Sequence, residues 1–173
     1  MVKCKKMRQE NIKKLEDTQH GRFLTFSLGE EVYGIEIKLV REIIGIQKIS
    51  RLPEVPNYIK GVINLRGIII PVIDVRLRFN KHSIDYADRT CIIVIESEDT
   101  SAGLIVDQVC EVVRIDDEQI VPPPEIYSGE KNKFIKAIGR IGDQIKLIIN
   151  CRKLLVDYDE KPSAENTKNT ITL

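Results

Sequence analysis

Residues able to do chemistry are few and far apart in this chain. There are 2 histidines. His20 falls in a polar opening segment and His82 in a polar loop, and their separation offers no metal pair. The cysteines are Cys4, Cys91, Cys110 and Cys151, and their spacings match neither a zinc site nor a CxxC pair. The last three lie in apolar stretches and read as small core residues. No serine has a nucleophile-elbow setting, and neither HExxH nor a DxDxDG calcium loop occurs. GxGxxG and GxxxxGKS/T, the phosphate cradles, are also missing. Two carboxylates sit where an acid pair would be sought: Asp74 ends an apolar strand, and Asp107 follows Val106. Turn formation, capping, or pairing with Arg76 and Arg78 explains them better. The expectation is no catalytic residue, no cofactor and no metal, and so no enzyme.

Binding chemistry is better represented. Asn64-Leu65-Arg66-Gly67 sits on a tight turn, and its arginine offers a planar fork suited to a carboxylate. Val40-Arg41-Glu42-Ile43 lies between two predicted strands, with Val40 and Glu42 on a different face from Arg41. A Glu42–Arg66 pair forms if the two segments meet; the plainer reading is a surface ion pair of small energy. Isoleucine-rich edges with few catalytic groups suit helix-in-groove or edge-to-edge binding. Phe79 beside Arg76, Arg78 and Lys81 is the only hint of a nucleic-acid platform, and a solvated strand end explains it equally well. Lys3, Lys5, Lys6, Arg8, Lys13 and Lys14 crowd the start of the chain, as a solvated arm or as a contact for nucleic acid or anionic lipid. With a formal net charge of only +1, no surface-wide field is available to hold phosphates.

These residues need a framework. The 173 residues suit one domain, or two small ones sharing an interface, and bury enough surface to fold without disulfides. Hydrophobic residues make up 42% and charged residues 31%, both ordinary for a globular protein. Aromatics are 5% with no Trp, so the core must be Ile, Val and Leu, which favours strands. No charged-then-apolar leader opens the chain, and the longest apolar run, near residues 68–73, is far below the roughly 20 residues of a membrane span. A protein of a reducing, cytoplasmic compartment is expected, with no direct membrane insertion.

Apolar patterning predicts strands near 23–28, 32–37, 43–49, 61–65 and 68–73, then 91–95, 103–106, 111–115, 134–141 and 144–149, with a short helix over 152–158. Arg66-Gly67 and Gly142-Asp143 mark hairpin turns. Pro71 implies an edge strand or a bulge. The second half repeats the first. A displacement of 69 positions lays Gly34 on Gly103, Val40 on Val109, Glu42 on Glu111 and Pro53 on Pro122. A displacement of 76 lays Tyr58 on Phe134, Ile69 on Ile145, Asp74 on Asn150 and Arg76 on Arg152. The extra seven residues fall in the loop between these blocks, where insertions cost least. Two halves of about five short strands each predict two small closed β-barrels packed together, because closure removes open edges.

Four segments, FLTFSLGEEVYGIEIKLVREI, VPNYIKGVINLRGIIIPVIDVRLRF, AGLIVDQVCEVVRI and FIKAIGRIGDQIKLIINCRKLL, resemble the CheW-like family of chemotaxis coupling proteins across about residues 22–156. The NLRG turn followed by the IPVID strand is the most specific. The resemblance implies an all-β fold of two tandem five-stranded SH3-like barrels with a short C-terminal helix. It divides the chain into a basic arm (1–21), a first barrel (22–86), a second barrel with the helix (87–157) and a tail (158–173). It implies a non-catalytic adaptor bridging the cytoplasmic tip of methyl-accepting chemoreceptors and the regulatory domain of the chemotaxis histidine kinase, recruited to the inner face of the membrane through receptor arrays. The receptor hairpin would lie along the groove between the barrels, near Val40, Glu42, Asn64, Leu65 and Arg66, with Glu42 and Arg66 paired. The kinase domain, of the same fold, would meet the opposite ends of the barrels. Two positions depart from the family pattern: Ala137 stands for the usual Gly, and Asn150 for the usual Asp. The competing reading is a binding module serving another receptor-like membrane protein.

Overall fold

The computed structural model describes residues 19–127 and 133–159. The expected arm (apart from residues 19–21), the expected tail (apart from 158 and 159) and Cys4 lie outside them. Strands β1 (Arg22–Leu28), β2 (Glu31–Glu36), β3 (Val40–Gly45), β4 (Ile59–Leu65) and β5 (Ile68–Asp74) lead into a one-turn helix, α1 (Val75–Arg78). Then follow β6 (Cys91–Ser97), β7 (Thr100–Val106), β8 (Gln108–Arg114), the short β9 (Ile120–Val121), β10 (Ile135–Ile141), β11 (Gln144–Ile149) and α2 (Cys151–Asp159).

The internal repeat is structural. The 69-residue displacement carries Arg22 to Cys91 and Val40 to Val109, laying β1, β2 and β3 on β6, β7 and β8. The 76-residue displacement carries Ile59 to Ile135, laying β4, β5 and α1 on β10, β11 and α2. Registers repeat as well: Phe23 faces Glu36 in β1–β2, and Ile92 faces Ile105 in β6–β7. Even the helix starts agree. The Asp74 and Asn150 amides donate to the carbonyls of Tyr58 and Phe134, each at 2.7 Å. Their side chains in turn accept from the amides of Leu77 and Lys153, so Asn serves where Asp would, because an N-cap needs an acceptor and not a charge.

The expected barrels do not close, and neither sheet is built from one half of the chain. Sheet one has six strands in the order β8-β1-β2-β11-β10-β9, and sheet two has five in the order β3-β6-β7-β5-β4. Both are open, mixed sheets. The halves exchange their first hairpins. β1 and β2 join β8–β11 through the antiparallel β1–β8 and parallel β2–β11 pairings. β6 and β7 join β3–β5 through the matching β3–β6 and β5–β7 pairings. Among the described residues, the backbones at the two edges of sheet two meet only at an isolated bridge, Ser50 to Val62. β9, at the edge of sheet one, is two residues long. Strand count and alternation do not specify which edge a hairpin joins, which is why the sequence pointed to closure.

The exchange places the main core between the sheets. One cluster joins Phe26, Tyr33 and Ile35 of sheet one to Ile73, Ile93 and Leu104 of sheet two, and takes in Leu154 of α2. Each sheet also curls over a smaller cluster of its own: Ile63, Ile70, Val72, Ile92, Val94 and Ile105 in sheet two, and Phe23, Ile115, Ala137 and Ile148 in sheet one. β5 is not an edge strand. Its pairing with β7 begins at Val72, however, so Pro71 needs no N–H on that side. The same gap leaves Ile68 and Ile69 exposed.

Candidate functional site

Arg66 and Gly67 form the two-residue turn between β4 and β5, with Leu65 facing Ile68. Their φ angles are 52° and 84°, and two successive positive values match the twist of the flanking strands. Gly67 takes this without strain; Arg66 pays a steric penalty that few side chains meet. The Asn64 side chain fixes the turn by accepting the Gly67 amide at 2.8 Å. Arg66 is thereby aimed at Glu42 on β3, with two parallel hydrogen bonds of 3.0 and 2.5 Å.

This contact links the opposite edges of open sheet two, since β3 lies at one end of its strand order and β4 at the other. Residues 40–43, expected between strands, are the first part of β3. The β3–β6 register shifts between Val40 and Glu42. Such a bulge re-aims side chains: Val40 packs against the shared core, while Glu42 meets Arg66. Leu65 packs against the inner cluster of sheet two. The structure therefore brings Glu42, Asn64 and Arg66 together at the surface and uses Val40 and Leu65 beneath as packing. The Arg66 side chain is 71% exposed and that of Glu42 22%, so the pair contributes at most about 1 kcal/mol to stability. Its guanidinium stays open to a partner.

A second bidentate pair is more enclosed. Arg76 donates to both carboxylate oxygens of Asp107, at 2.7 and 2.6 Å, and Asp107 also accepts the Gly29 amide at 2.8 Å. Arg76 follows sheet two, whereas Gly29 lies in the β1–β2 turn of sheet one, so the cluster pins the two sheets. Burial pushes the Asp107 carboxyl up, but Arg76 and the Gly29 amide outweigh it and hold the group below its ordinary value. Asp74 caps α1 and accepts from the Tyr86 hydroxyl at 2.9 Å. Capping and ion pairing thus account for both carboxylates. Phe79 is no nucleic-acid platform either: its ring lies 5.3 Å from Tyr33 and 5.6 Å from Phe134, against the shared core. Arg78 lies over the rings of Tyr58 and Phe134, which are repeat equivalents.

Of the cysteines expected inside, Cys151 is buried and its thiol is pushed up to about 12, chiefly by burial. Cys91 is half-buried, but Cys110 is exposed. It sits where β8, an edge strand, shifts register against β1, and the bulge turns it outward.

The sequence points to isoleucine-rich binding edges without naming their residues, and the structure shows which apolar side chains are exposed. Sheet two exposes Ile43 and Ile69, with Leu52 in the loop between β3 and β4; sheet one exposes Val112, Ile145 and Val121. These are repeat equivalents pair by pair: Ile43 with Val112, Leu52 with Val121, and Ile69 with Ile145. Ile69 and Ile145 are 62% and 60% exposed. The signal was available, because three consecutive isoleucines in a strand of period two cannot all face one core.

Comparison with known proteins gives a consistent answer. Residues 22–159 match the model of the CheW-like domain. The chain is 37% identical over 139 residues to the chemotaxis protein CheW of Klebsiella aerogenes, covering 80% of this chain and 84% of that protein. It is 34% identical over 143 residues to the chemotaxis protein CheW of Bacillus subtilis, covering 83% and 91%. The crystal structure of the scaffolding protein TtCheW from Thermoanaerobacter tengcongensis superposes with a TM-score of 0.71 at 40% identity, covering 75% of this chain and 88% of that one.

Proposed function

The chain belongs to the CheW-like family, a family of non-catalytic chemotaxis adaptors, and from that premise we propose that it couples transmembrane chemoreceptors to the chemotaxis histidine kinase. The coupling and scaffolding role follows from membership; the partners are the proposal.

The observation that supports it is the presence of separate exposed surfaces of different chemistry. One is the Glu42–Arg66 pair at the edge of sheet two, steered by Asn64 and underlain by Val40 and Leu65. It suits a helical hairpin bearing carboxylates. The others are the matched exposed apolar residues of the two sheets, which suit a partner of the same fold engaging each sheet in turn. Single exposed apolar residues are ordinary and contiguous patches mark interaction sites; the support here is that the exposure recurs at repeat-equivalent positions. A bridge between two partners raises their effective concentration and couples their conformational states without new chemistry. Among the described residues no helix is long and apolar enough to cross a membrane, so the receptor would supply the attachment to the inner face.

Calorimetric titration against the kinase regulatory domain and, separately, a receptor cytoplasmic fragment tests the reading. Saturable binding to both is the expected result. Binding to the receptor fragment alone would favour a module serving another receptor-like protein, and binding to neither folded partner would overturn the assignment.

A further inference from the structure

Sheet one opens a recess whose repeat-equivalent floor in sheet two is covered by the Ser50 segment. The recess holds about 480 Å³, and its floor is Phe23, Ala137 and Ile148. In sheet two the equivalent residues are Ile92, Gly61 and Val72. There Gly61, at φ 139°, lets the Ser50 segment lie directly on β4; a Cβ would stand 2.0 Å from the Ser50 carbonyl oxygen. Ala137 carries such a Cβ. The matching segment of sheet one accordingly pairs two residues later, through Val121 and Ile138 rather than at the equivalent of Ser50 and Val62.

The composition of the recess changes in the same direction. Glu36 stands where sheet two has buried Ile105. It is bound by Lys136, from the β10 bulge, and by Lys38 at 3.3 Å. Arg22 also lines the recess and has no ion pair among the described residues, while His20 and Asp117 hold each other at 3.3 Å. Among the described residues, three cations therefore face two carboxylates over an apolar floor, and each lysine retains donors that Glu36 does not use.

We propose that this recess binds a small amphiphile, a carboxylate on a short apolar body. The head meets Lys38, Lys136 and Arg22, and the body covers Phe23, Ala137 and Ile148. The volume falls within the range of small-molecule pockets, roughly 300–1,000 Å³. Sheet two keeps only a smaller recess of about 340 Å³ at the repeat equivalents of Ile120 and Lys136, lined by Arg51, Lys60 and Tyr86, so the depth and apolar floor of this opening follow from its side chains and not from the fold alone. The site lies on sheet one, away from the Glu42–Arg66 pair, and the proposal does not depend on the adaptor reading.

Decanoate titrated into the ¹⁵N-labelled full chain is the test. Saturable amide shifts centred on Phe23, Lys38, Lys136 and Ala137 are expected, with acetate producing none. Lys136→Gln should weaken binding about tenfold. Glu36→Gln should strengthen it several-fold by freeing both lysines, a direction that a damaged fold cannot mimic. Shifts centred on Ile43 and Ile69, no saturation at millimolar decanoate, or weaker binding in Glu36→Gln would overturn the proposal. So would binding that appears only after deletion of residues 1–18, since the recess would then belong to the chain's own first segment.

Discussion

Replacing Arg66 by Asn should separate partner binding from stability. Arg66 is held at φ 52°, where an L side chain loses about 1–2 kcal/mol. Asn tolerates that region, and Asn-Gly is the preferred pair for such a turn, so the substitution recovers about 1 kcal/mol. It also removes the bidentate contact with Glu42. With the arginine 71% exposed, that loss is at most about 1 kcal/mol. The contributions nearly cancel, and Tm should move by no more than about 4 °C for a chain of this size. Binding has no such compensation. An arginine fork at the centre of a contact is a frequent hot spot, so affinity for a receptor fragment should fall about tenfold or more. Scanning calorimetry and isothermal titration on the same preparation measure both. A Tm loss above about 6 °C would show that the pair is a structural clasp and that the energy assignment is wrong. Unchanged affinity would show that Arg66 faces solvent and not a partner.

Other perturbations test the framework around it. Arg76→Ala leaves Asp107 enclosed without its partner and should cost roughly 2–3 kcal/mol. Arg152→Ala, at the repeat-equivalent position with its exposed Glu98 contact, should cost under about 0.5 kcal/mol; urea unfolding measures each. Because the Asp107 carboxyl is held low, its contribution is complete above the ordinary Asp value near ~4 and is lost as pH falls through the lower folded value. Stability below about pH 4 should therefore decline less steeply in Asp107→Asn than in the parent chain, as read from urea midpoints across pH. Gly61→Ala should destabilise by more than about 2 kcal/mol, through the clash with Ser50 and the positive φ, whereas Ala137→Gly should change stability by about 1 kcal/mol or less. Ile69→Lys and Ile145→Lys, both at exposed positions, should leave Tm within about 2 °C while each weakens binding of the kinase regulatory domain. Unimpaired binding in both would remove the apolar surfaces from the proposed function.

Much of the local structure was legible in the sequence. Alternating Ile and Val marked nearly every strand, Gly67 and Gly142 marked the hairpin turns, and capping was one of three roles open to Asp74. The repeat was legible because it is written in residue types at constant displacement. The extent of β3 was not: residues 40–43 read as a connection because Arg41 and Glu42 interrupt the apolar pattern, and a bulge reconciles them with a strand. Cys110 was misplaced for the same reason, since a bulge breaks the alternation on which an inside-or-outside assignment depends.

Local composition thus determined the elements, their order, their twofold repetition and the family to which they belong. Tertiary structure alone decided that the halves trade hairpins, that the sheets stay open, that Glu42 reaches Arg66 across opposite edges, and that one sheet keeps a larger recess than the other. The reason is range. Strand propensity, turn geometry and capping act over a few neighbouring residues, whereas the choice of sheet edge compares pairings tens of residues apart that offer the same backbone hydrogen bonds. The packing of residues such as Phe26, Tyr33, Ile73 and Leu104 into one shared core favours the observed pairing.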